Sequence, residues 1–464
     1  MTTQPTSLND IVSLCKRRGF MFPGSDIYGG LANTWDYGPL GAALKKNLKD
    51  LWWNTFIDNR DDMVGLDTGI ILNSKVWEAS GHLSGFADAM IDCKVCRART
   101  RADHLIEDYL EKKGTPEKVE GKSMAELTAM VVDNKIKCPT CGNSNFTDVR
   151  SFNLLFPTKM GILADTESTV YLRGETAQGI FINFKNIMDS SRVKLPFGAG
   201  NIGKSFRNEI TKGQFIFRTV EFEQGEIEFF FDPTVSNWEE LFDKWLSSMQ
   251  TFLLETLGIK SENLRVREHE DAERSFYSKR TVDIEYQYPF GFKELWGLAY
   301  RTDYDLSRHQ EFSGKDLTVM RQDGTKFLPH VIEPAVGIDR LILMILCDSY
   351  WADIEHNRVV LRLKPALAPY KVAVFPLLKN NEELVGKAKE VYDSLKTKYR
   401  TAWDDRGNIG KRYYYQDEMG TPFCITVDHQ TLEDGTVTVR DRDTTAQERI
   451  NISALDTYLC GKLE

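Results

Sequence analysis

The sequence lacks several features that define large classes of proteins. It has no apolar run approaching the roughly 20 residues that span a bilayer, and its first residues, MTTQPTSLND, lack the basic flank and apolar core of a secretory signal. The GxxxxGK[ST] loop of P-loop nucleotide-binding proteins is also absent. We therefore expect a cytoplasmic protein without a membrane partner and without P-loop chemistry.

Cysteines are few, and basic residues are outnumbered by acidic ones. Eight cysteines in 464 residues do not make a disulfide framework. Lys and Arg total 59 against 68 Asp and Glu, a net charge of −9, which argues against indiscriminate nucleic-acid binding, including DNA. Local basic patches still permit one specific RNA partner. A chain of this length favours two or three domains over one core.

Four of the cysteines form two CxxC pairs, Cys93–Cys96 and Cys138–Cys141, around a charged, helical stretch that is interrupted at Gly114-Thr-Pro116. We interpret residues 88–148 as an insertion. Four thiolates would complete a tetrahedral structural zinc site, although unliganded thiols stay possible. A redox role is disfavoured, because neither pair lies at the strand-to-helix junction of a thioredoxin-like unit.

A long amphipathic helix is predicted after Asp36-Tyr-Gly-Pro39, because apolar residues from Leu40 to Phe56 recur at helical spacing and proline suits a first helical position. Its apolar face would pack within the chain or form a subunit interface. Residues 151–345 are mostly strand-like, with a helix at 235–257. After a proline-containing linker at 361–369, strands near 370–376, 400–403, 422–428 and 436–440 alternate with helices at 380–399 and 407–416.

The stretch SFRNEITKGQFIFRTVEFEQGEIEFF (205–230) predicts an antiparallel hairpin that turns at Thr211-Lys212-Gly213. On its returning arm, alternation puts one set of side chains on one face: Arg218, Val220, Phe222, Gln224 and Glu226. The other face carries a different set: Thr219, Glu221, Glu223 and Ile227. A ring between charged groups indicates a site for a charged ligand that contains a ring.

Arginines from separate segments supply further parts of such a site. Arg207 and Arg218 lie in the hairpin, and Arg340 lies where VIEPAVGIDR passes from strand to helix. Guanidinium groups bind phosphate oxygens in a fork, and an aromatic ring offers a stacking surface for adenine. Two arginines can hold a triphosphate from opposite ends and keep its α-phosphorus in line for attack.

These segments resemble known motifs. "SFRNE…FRTVEF" resembles motif 2 of class II aminoacyl-tRNA synthetases, "EPAVGIDRLIL" resembles motif 3, and the helix after Tyr37-Gly38-Pro39 resembles motif 1, which forms the dimer interface in that class. "YLRGETAQGIFINF", "FEQGEIEFF", "ELWGLAYRTDYDL" and "RYYYQDEMGTPFCITVD" resemble the homodimeric type of glycyl-tRNA synthetase. The resemblance covers nearly the whole chain, in order.

The resemblance implies roles around ATP. Arg207 would hold the α-phosphate and the substrate carboxylate, Glu209 would bind the adenine amino group, and Phe222 would stack on adenine. Arg218 and Arg340 would hold the β- and γ-phosphates, and Glu294 is a candidate ligand of Mg²⁺, which offsets phosphate charge. Arg207, Glu209 and Arg340 are the implied catalytic residues. The complete implied ATP-binding set is Arg207, Asn208, Glu209, Phe217, Arg218, Thr219, Val220, Glu221, Phe222, Glu294, Leu295, Gly337, Ile338, Asp339 and Arg340.

For glycine, the resemblance places the carboxylates of Glu175, Glu226 and Glu333 around the ammonium group, with Arg101 and Arg301 closing the site. The implied glycine-binding set is Arg101, Glu175, Phe222, Glu223, Gln224, Gly225, Glu226, Arg301, Glu333, Pro334, Ala335, Val336 and Gly337. Ala335 departs from the family, which commonly has serine there; a lost hydrogen bond would cost about 0.5–1.5 kcal/mol. A pocket with no room for a methyl group rejects every larger amino acid by clash, so we expect no editing domain.

The resemblance implies an α+β protein: a class II antiparallel-sheet catalytic core with flanking helices (1–87 and 149–360), a zinc-knuckle-like insertion (88–148) and a C-terminal α/β anticodon-binding domain (366–464). Lys411, Arg412, Arg440 and Arg442, near Tyr413–Tyr415, are candidate RNA contacts. The implied protein is a homodimer that binds glycine, ATP and its tRNA. Two alternatives stay open: a class II synthetase for serine, threonine or proline, and a catalytically inert accessory subunit of a mitochondrial DNA polymerase.

Overall fold

The computed structural model describes residues 7–117, 119, 121–161, 169–209, 214–270 and 278–463. The strands are β1 Met21–Pro23, β2 Trp35–Tyr37, β3 Met63–Gly65, β4 Ile71–Leu72, β5 Ala87–Asp92, β6 Arg99–Arg101, β7 Arg150–Asn153, β8 Phe156–Lys159, β9 Thr169–Leu172, β10 Phe197–Phe206, β11 Glu221–Phe231, β12 Leu264–Glu268, β13 Arg280–Tyr288, β14 Gly291–Thr302, β15 Val319–Met320, β16 Lys326–Phe327, β17 His330–Gly337, β18 Tyr350–Asp353, β19 Arg358–Leu361, β20 Val372–Pro376, β21 Thr401–Trp403, β22 Phe423–Val427, β23 Thr436–Asp441 and β24 Gln447–Asn451.

The helices are α1 Leu8–Arg18, α2 Pro39–Trp53, α3 Ser74–Ala79, α4 His82–Gly85, α5 Ala102–Lys113, α6 Met124–Asp133, α7 Ala177–Phe181, α8 Phe184–Ser191, α9 Trp238–Thr251, α10 Tyr304–Ser313, α11 Ile338–Ser349, α12 Glu382–Leu395, α13 Ile409–Met419, α14 His429–Asp434 and α15 Leu455–Leu463. Among the residues described, no helix combines the length and the apolar character needed to cross a membrane.

A seven-stranded sheet in the order β12-β13-β14-β17-β11-β10-β3 is the centre of the fold. Its pairs are antiparallel, except that β3 joins β10 in parallel. Helix α11 packs on β11 and is buried from Leu341 to Leu346, because its sequence LILMIL is apolar on every face. The predicted antiparallel core is therefore confirmed.

Helix α2 begins at the proline predicted for its first turn and continues as a wider turn over Asn54–Asp58. Leu40, Leu44, Leu48 and Trp52 are buried in the main apolar core of the same chain. Of the two interpretations of this helix, intrachain packing is the one that accounts for its apolar face.

The hairpin differs from its prediction at both ends. β10 and β11 pair from Phe197↔Phe230 to Phe206↔Glu221, so Arg207 and Arg218 lie beyond the paired strands rather than on them. Phe215–Phe217 forms a single 3₁₀ turn, which carries the chain back toward the sheet. The predicted turn at Thr211-Lys212-Gly213 lies outside the described residues.

The segment around the cysteine pairs has an apolar cluster of its own, whose members on regular elements lie on β5, α5 and α6, and a small sheet in the order β6-β5-β7. As predicted, it is helical and interrupted: α5 ends at Lys113 and is capped by Gly114, whose φ of +78° is the left-handed conformation that glycine adopts without strain.

The C-terminal segment forms a separate sheet, β21-β20-β22-β23-β24, in which β20 is parallel to both neighbours and the remaining pairs are antiparallel. The predicted small α/β unit is confirmed, and β24, α14 and α15 are additions that the sequence analysis missed.

Candidate functional site

A cavity of about 250 Å³ opens on the face of the central sheet formed by β11, β14 and β17. Acidic and basic side chains surround it, and alternate residues of β11 enter it because successive strand residues point to opposite faces. Its lining consists of Glu175, Arg207, Glu209, Ile216, Phe217, Arg218, Thr219, Phe222, Gln224, Glu226, Glu294, Gly297, Glu333, Ala335, Val336, Gly337, Asp339 and Arg340.

Cationic side chains define one half of this cavity. The Arg207 guanidinium lies 5.4 Å from the centre of the Phe222 ring and donates through Nε to the Gly174 carbonyl at 3.1 Å. Arg218 Nη1 lies 3.8 Å from a Glu209 oxygen. These contacts bring together two arginines and a ring from the strand ends of β10 and β11, as the hairpin interpretation required.

Arg340 enters from the first turn of α11 and lies over the Phe217 ring, 4.5 Å from its centre. Its Nη1 is 3.1 Å from a carboxylate oxygen of Glu294 on β14. The Arg340 charge holds the pKa of Glu294 below its ordinary value. The cavity thus has guanidinium groups on separate chain segments, suited to the oxygens of one polyphosphate.

Three carboxylates define the other half. Glu226 accepts hydrogen bonds from the backbone N–H groups of Thr176 (2.7 Å) and Ala177 (2.8 Å), from the Thr176 hydroxyl, and from Gln224 Nε2 at 2.9 Å. Arg301 Nη1 donates to both oxygens of Glu333 at 2.8 and 2.9 Å. Both carboxylates are therefore held in place by hydrogen-bond donors of the surrounding protein.

Glu175 completes the three. Its oxygens accept from Gln178 Nε2 at 3.0 Å and lie 3.2 Å from His82 Nε2. Despite the opposing effect of burial, His82, Arg301 and Gln178 hold the pKa of Glu175 well below its usual range. One acid of the cluster is therefore firmly ionised.

The other two acids have raised pKa values. Burial, followed by the charge of Glu175, raises the pKa of Glu226. Burial raises the pKa of Glu333 to about 8, and the charges of Glu226 and Glu175 add to the rise while Arg301 opposes it. A cation placed among these carboxylates would relieve their mutual repulsion.

Several predicted residues lie elsewhere. The assignment of Glu223 to the glycine site needs correction. Its side chain points to the opposite face of β11 from Glu226, into a second cavity of about 570 Å³ that Glu221 also lines. There Glu223 pairs with Lys45 at 2.7 Å and Lys49 at 2.9 Å. Strand alternation, which the sequence analysis had noted, explains the placement.

Asp339 lies between the two cavities. Its Oδ2 accepts from the backbone N–H of Glu223 at 2.7 Å, and its Oδ1 accepts from Lys45 Nζ at 3.2 Å and from the Tyr37 hydroxyl. The residue before Arg340 is thereby tied to both β11 and α2.

Other members of the implied sets support the cavity from behind or lie outside its lining. Leu295 and Ile338 are buried in the apolar core. Arg301 is buried between Glu333 and Asp305. Arg101 pairs with Asp88 at 2.9 Å and also with Asp103. The remaining non-lining members are backbone neighbours of lining residues: Asn208, Val220, Gly225 and Pro334.

Sequence reasoning also missed residues that organise the site. The backbone N–H groups of Thr176 and Ala177, together with Gln178 and His82, hold two of the three acids. The quoted stretch RGETAQG contained three of these residues, but only its glutamate was singled out. His82 is far away in sequence, and nothing in its local pattern indicated the contact.

The four cysteine sulfurs of the two pairs lie within 4.8 Å of one another. Cys93 Sγ is 3.6 Å from Cys141 Sγ, and Cys96 Sγ is 3.7 Å from Cys138 Sγ. A Zn–S bond of about 2.3 Å sets tetrahedral sulfurs roughly 3.8 Å apart, so the donor type and spacing fit a zinc ion.

The candidate RNA contacts of the C-terminal segment need correction. Arg412, Arg440 and Arg442 are at most 4% exposed. Arg440 makes a two-pronged ion pair with Asp417 at 2.8 and 3.0 Å, and Arg412 and Arg442 donate to backbone carbonyls. They stabilise this domain from inside, and only Lys411 of the four is exposed.

An antiparallel sheet with a helix following a Glu-Pro strand, and a cavity divided into an arginine half and an acidic half, define a class II aminoacyl-tRNA synthetase. The family described as tRNA synthetase class II core domain (G, H, P, S and T) matches residues 160–349. The anticodon binding domain family matches 371–461, and glycyl-tRNA synthetase insertion domain 1 matches 113–154.

Relatives narrow the class further. Proteins named glycine–tRNA ligase are similar along their full lengths: one from Caldanaerobacter subterraneus subsp. tengcongensis is 52% identical over 99% of both chains. Those from Alkaliphilus oremlandii and Clostridium tetani are 52% and 53% identical over 100% of both chains. The chain belongs to the glycyl-tRNA synthetase family.

Proposed function

We propose that this protein is a glycine–tRNA ligase, which activates glycine with ATP to glycyl-adenylate and pyrophosphate and then transfers glycine to the 3′ end of its tRNA. The observation that carries the proposal is the division of one cavity into two halves. Three carboxylates meet at one end, where an ammonium group would bind, and arginines from separate segments meet at the other, where phosphates would bind.

In the first step, a carboxylate oxygen of glycine attacks the α-phosphorus of ATP, forming one P–O bond and breaking the bond to pyrophosphate. Arg207, supported over Phe222, would hold the α-phosphate and the glycine carboxylate together. Glu209 would bind the adenine amino group while Phe222 stacks on the ring. Positioning and charge stabilisation account for this catalysis, and no covalent enzyme intermediate is required.

Arg218 and Arg340 would hold the β- and γ-phosphates, which leave as pyrophosphate. Mg²⁺, expected in a class II core, neutralises phosphate charge when bound. Glu294 fits as its ligand, because its carboxylate is about half exposed at the cavity beside Arg340. Hard oxygen donors are the type that this ion prefers.

Selection of glycine would depend on the acidic half. The three carboxylates would bind the ammonium group, which every amino acid has: Glu175, Glu226 and Glu333. Larger amino acids must therefore be excluded because the pocket has no room for their side chains. Ala335 and Val336 on β17 form part of the wall there. A methyl group on the substrate would have to displace packed atoms, and protein interiors resist such overpacking.

The remaining assignments are part of the same proposal. Residues 1–87 and 149–360 would form the catalytic domain, 88–148 a zinc-bearing insertion and 366–464 the anticodon-binding domain; the apolar clusters within the insertion and within the C-terminal segment support this division. A location in the cytoplasm stays a prediction.

We also propose a homodimer. Since the apolar face of α2 is used within the chain, support comes from the loop before it, where Ile27, Tyr28 and Leu31 are 88%, 87% and 62% exposed. That loop reaches the site, because the Asn33 carbonyl accepts from the Val220 N–H at 3.1 Å. Sedimentation equilibrium of the wild type and of the Ile27→Asp, Tyr28→Asp double variant tests this surface. We expect a dimeric wild type and a weakened dimer in the variant, and a monomeric wild type refutes the dimer.

A pyrophosphate-exchange assay across the amino acids tests the function. We expect exchange with glycine, and exchange with alanine or serine but not glycine would overturn the proposal. Arg207→Ala should abolish adenylate formation while the fold is retained. That result would distinguish a synthetase from a catalytically inert protein of the same fold. Unchanged activity in that variant would refute its role.

A further inference from the structure

A buried chain of hydrogen bonds connects two acids of the cavity from behind. It runs from Glu175 through Gln178, Asp305 and Arg301 to Glu333. Gln178 Nε2 lies 3.0 Å from Glu175 Oε1 and 3.0 Å from Asp305 Oδ1. Arg301 donates to the two oxygens of Asp305 at 2.8 and 2.9 Å, and its Nη1 reaches Glu333. The two acids are thus parts of one connected network.

Gln178 occupies the central place in this chain without lining the cavity. Its side chain is fully buried in α7, and its amide nitrogen lies between two carboxylates from different elements. Its Oε1 is 2.8 Å from His309 Nε2. Burial lowers the pKa of His309, which favours a neutral ring whose Nε2–H donates to that oxygen.

These three contacts fix the orientation of the amide. If the amide were reversed, its oxygen would point at the carboxylates of Glu175 and Asp305, and its N–H groups would point at the His309 donor. Both arrangements are repulsive, and repulsion between buried groups is costly. Gln178 therefore keeps two anions together by giving one N–H to each.

We propose that Gln178 is a positioning residue for the amino-acid site, holding the Glu175 carboxylate in place to receive the substrate ammonium group. The inference rests on the proposed function, since it assigns a task within the same pocket. A neutral amide suits this position: an aliphatic residue would remove the one donor that Glu175 and Asp305 share, and an acid would add a third negative charge.

Two variants separate these effects. Gln178→Met removes the hydrogen bonds with little change in volume, and Gln178→Glu keeps the shape but replaces the donor with an acceptor. We expect both to raise the KM for glycine by about 10- to 100-fold near neutral pH, the factor for losing one or two hydrogen bonds to charged groups. The KM for ATP should change less than about threefold, because the arginine half lies outside the network.

The pH profile distinguishes positioning from general damage. As the pH falls, the carboxylate introduced by Gln178→Glu takes up a proton, and its O–H replaces one lost donor. The KM for glycine of Gln178→Glu, relative to wild type, should therefore fall with decreasing pH, whereas that ratio for Gln178→Met should stay constant. The titratable and charged groups around this position are Glu175, Asp305, His309, His82, Arg301, Glu226, Glu228 and Glu333.

The experiment is glycine-dependent pyrophosphate exchange with both variants, the wild type and the exposed control Gln287→Glu, with circular dichroism to confirm folding. A wild-type KM for glycine in Gln178→Met, or equal rises in the KM values for glycine and ATP, would overturn the proposal. If that variant does not fold, a constant ratio for Gln178→Glu across pH overturns it. Absence of exchange by the wild type would instead defeat the proposed function.

Discussion

Arg340 and Glu294 form an ion pair across the cavity, with Nη1 and Oε2 3.1 Å apart. Arg340 also donates to the Glu294 backbone carbonyl at 3.1 Å and lies over Phe217, so its guanidinium is fixed on two sides. A phosphate oxygen and a metal ion would compete for the two partners of this pair. The pair therefore places a guanidinium group, which can bind phosphate, and a carboxylate, which can bind a metal ion, where the β- and γ-phosphates of ATP would lie.

Arg340→Ala is expected to weaken ATP binding while leaving glycine binding nearly unchanged. Loss of a charge-assisted contact to phosphate costs about 1.5–3 kcal/mol, which corresponds to roughly 10- to 150-fold in the KM for ATP. Exchange kinetics at varied ATP and saturating glycine measure it. Arg267→Ala, outside the cavity lining, provides the control. A KM for ATP within twofold of wild type would remove Arg340 from the phosphate site.

Glu228→Gln should make unfolding less sensitive to pH. Glu228 is fully buried on β11, and within the described residues neither of its oxygens has a hydrogen-bond partner. Burial, followed by the charge of Glu333, raises its pKa well above the ordinary 4.5.

The raised pKa of Glu228 determines how its contribution to folding stability changes with pH. The folded state holds a proton that the unfolded state releases, so the favourable contribution is complete below pH 4.5 and is lost as the pH rises toward the folded pKa. Above pH 4.5 the buried carboxyl therefore costs the folded state stability, because either the proton must be retained against its release in the unfolded chain or a charge must be buried. Urea unfolding should show Glu228→Gln gaining stability relative to wild type between pH 4.5 and 7. A pH-independent difference would contradict the raised pKa.

The cysteine cluster should bind about one zinc ion per chain. Metal analysis after reducing, chelator-free purification measures the content, and less than half an ion per chain would refute the site. Cys96→Ser and Cys141→Ser should each abolish binding, because a structural site needs all four thiolates. Cys460→Ser, distant in sequence from both pairs, should retain it.

Asp417→Ala should destabilise the C-terminal domain by about 3–5 kcal/mol, because it leaves Arg358 and Arg440 buried without their shared carboxylate. Asp456→Ala, which removes an exposed pair with Lys398, should change stability by less than about 1 kcal/mol. Denaturant unfolding of both variants measures the contrast. Equal effects would show that the buried network contributes little.

Local patterns predicted much of this protein. Helix α2 was predicted from its apolar spacing and Pro39, and the face of Glu226 from strand alternation, because both depend on residues close in sequence. The burial of Arg440 and Arg442 was not predictable in this way. Their partner Asp417 lies on another element, and a basic side chain has the same sequence signature whether it binds RNA or a buried acid.

The candidate site shows the same limit. Arg207, Phe222 and Arg340 were singled out as candidates because their residue types and motif context point to phosphate and adenine, and the structure brings all three to one cavity. Gln178 and His82 were missed because hydrogen-bonding partners brought together by folding leave no spacing signal. The hairpin strands also end earlier than alternation suggested, since the 3₁₀ turn at Phe215–Phe217 packs in the core and redirects the chain.

Strand β11 separates two cavities that contain different charged groups. Glu226 faces the acidic pocket, and Glu223 faces Lys45 and Lys49. Inserting or deleting a single residue here would exchange the two sides, because the side-chain period of a strand is two. Glu223 would then point to the pocket side and Glu226 away from it, neither at the position of the other, and both cavities would lose their charge balance together. A change in the length of β11 should therefore disturb both cavities at once, whereas a substitution on one face should disturb only one of them.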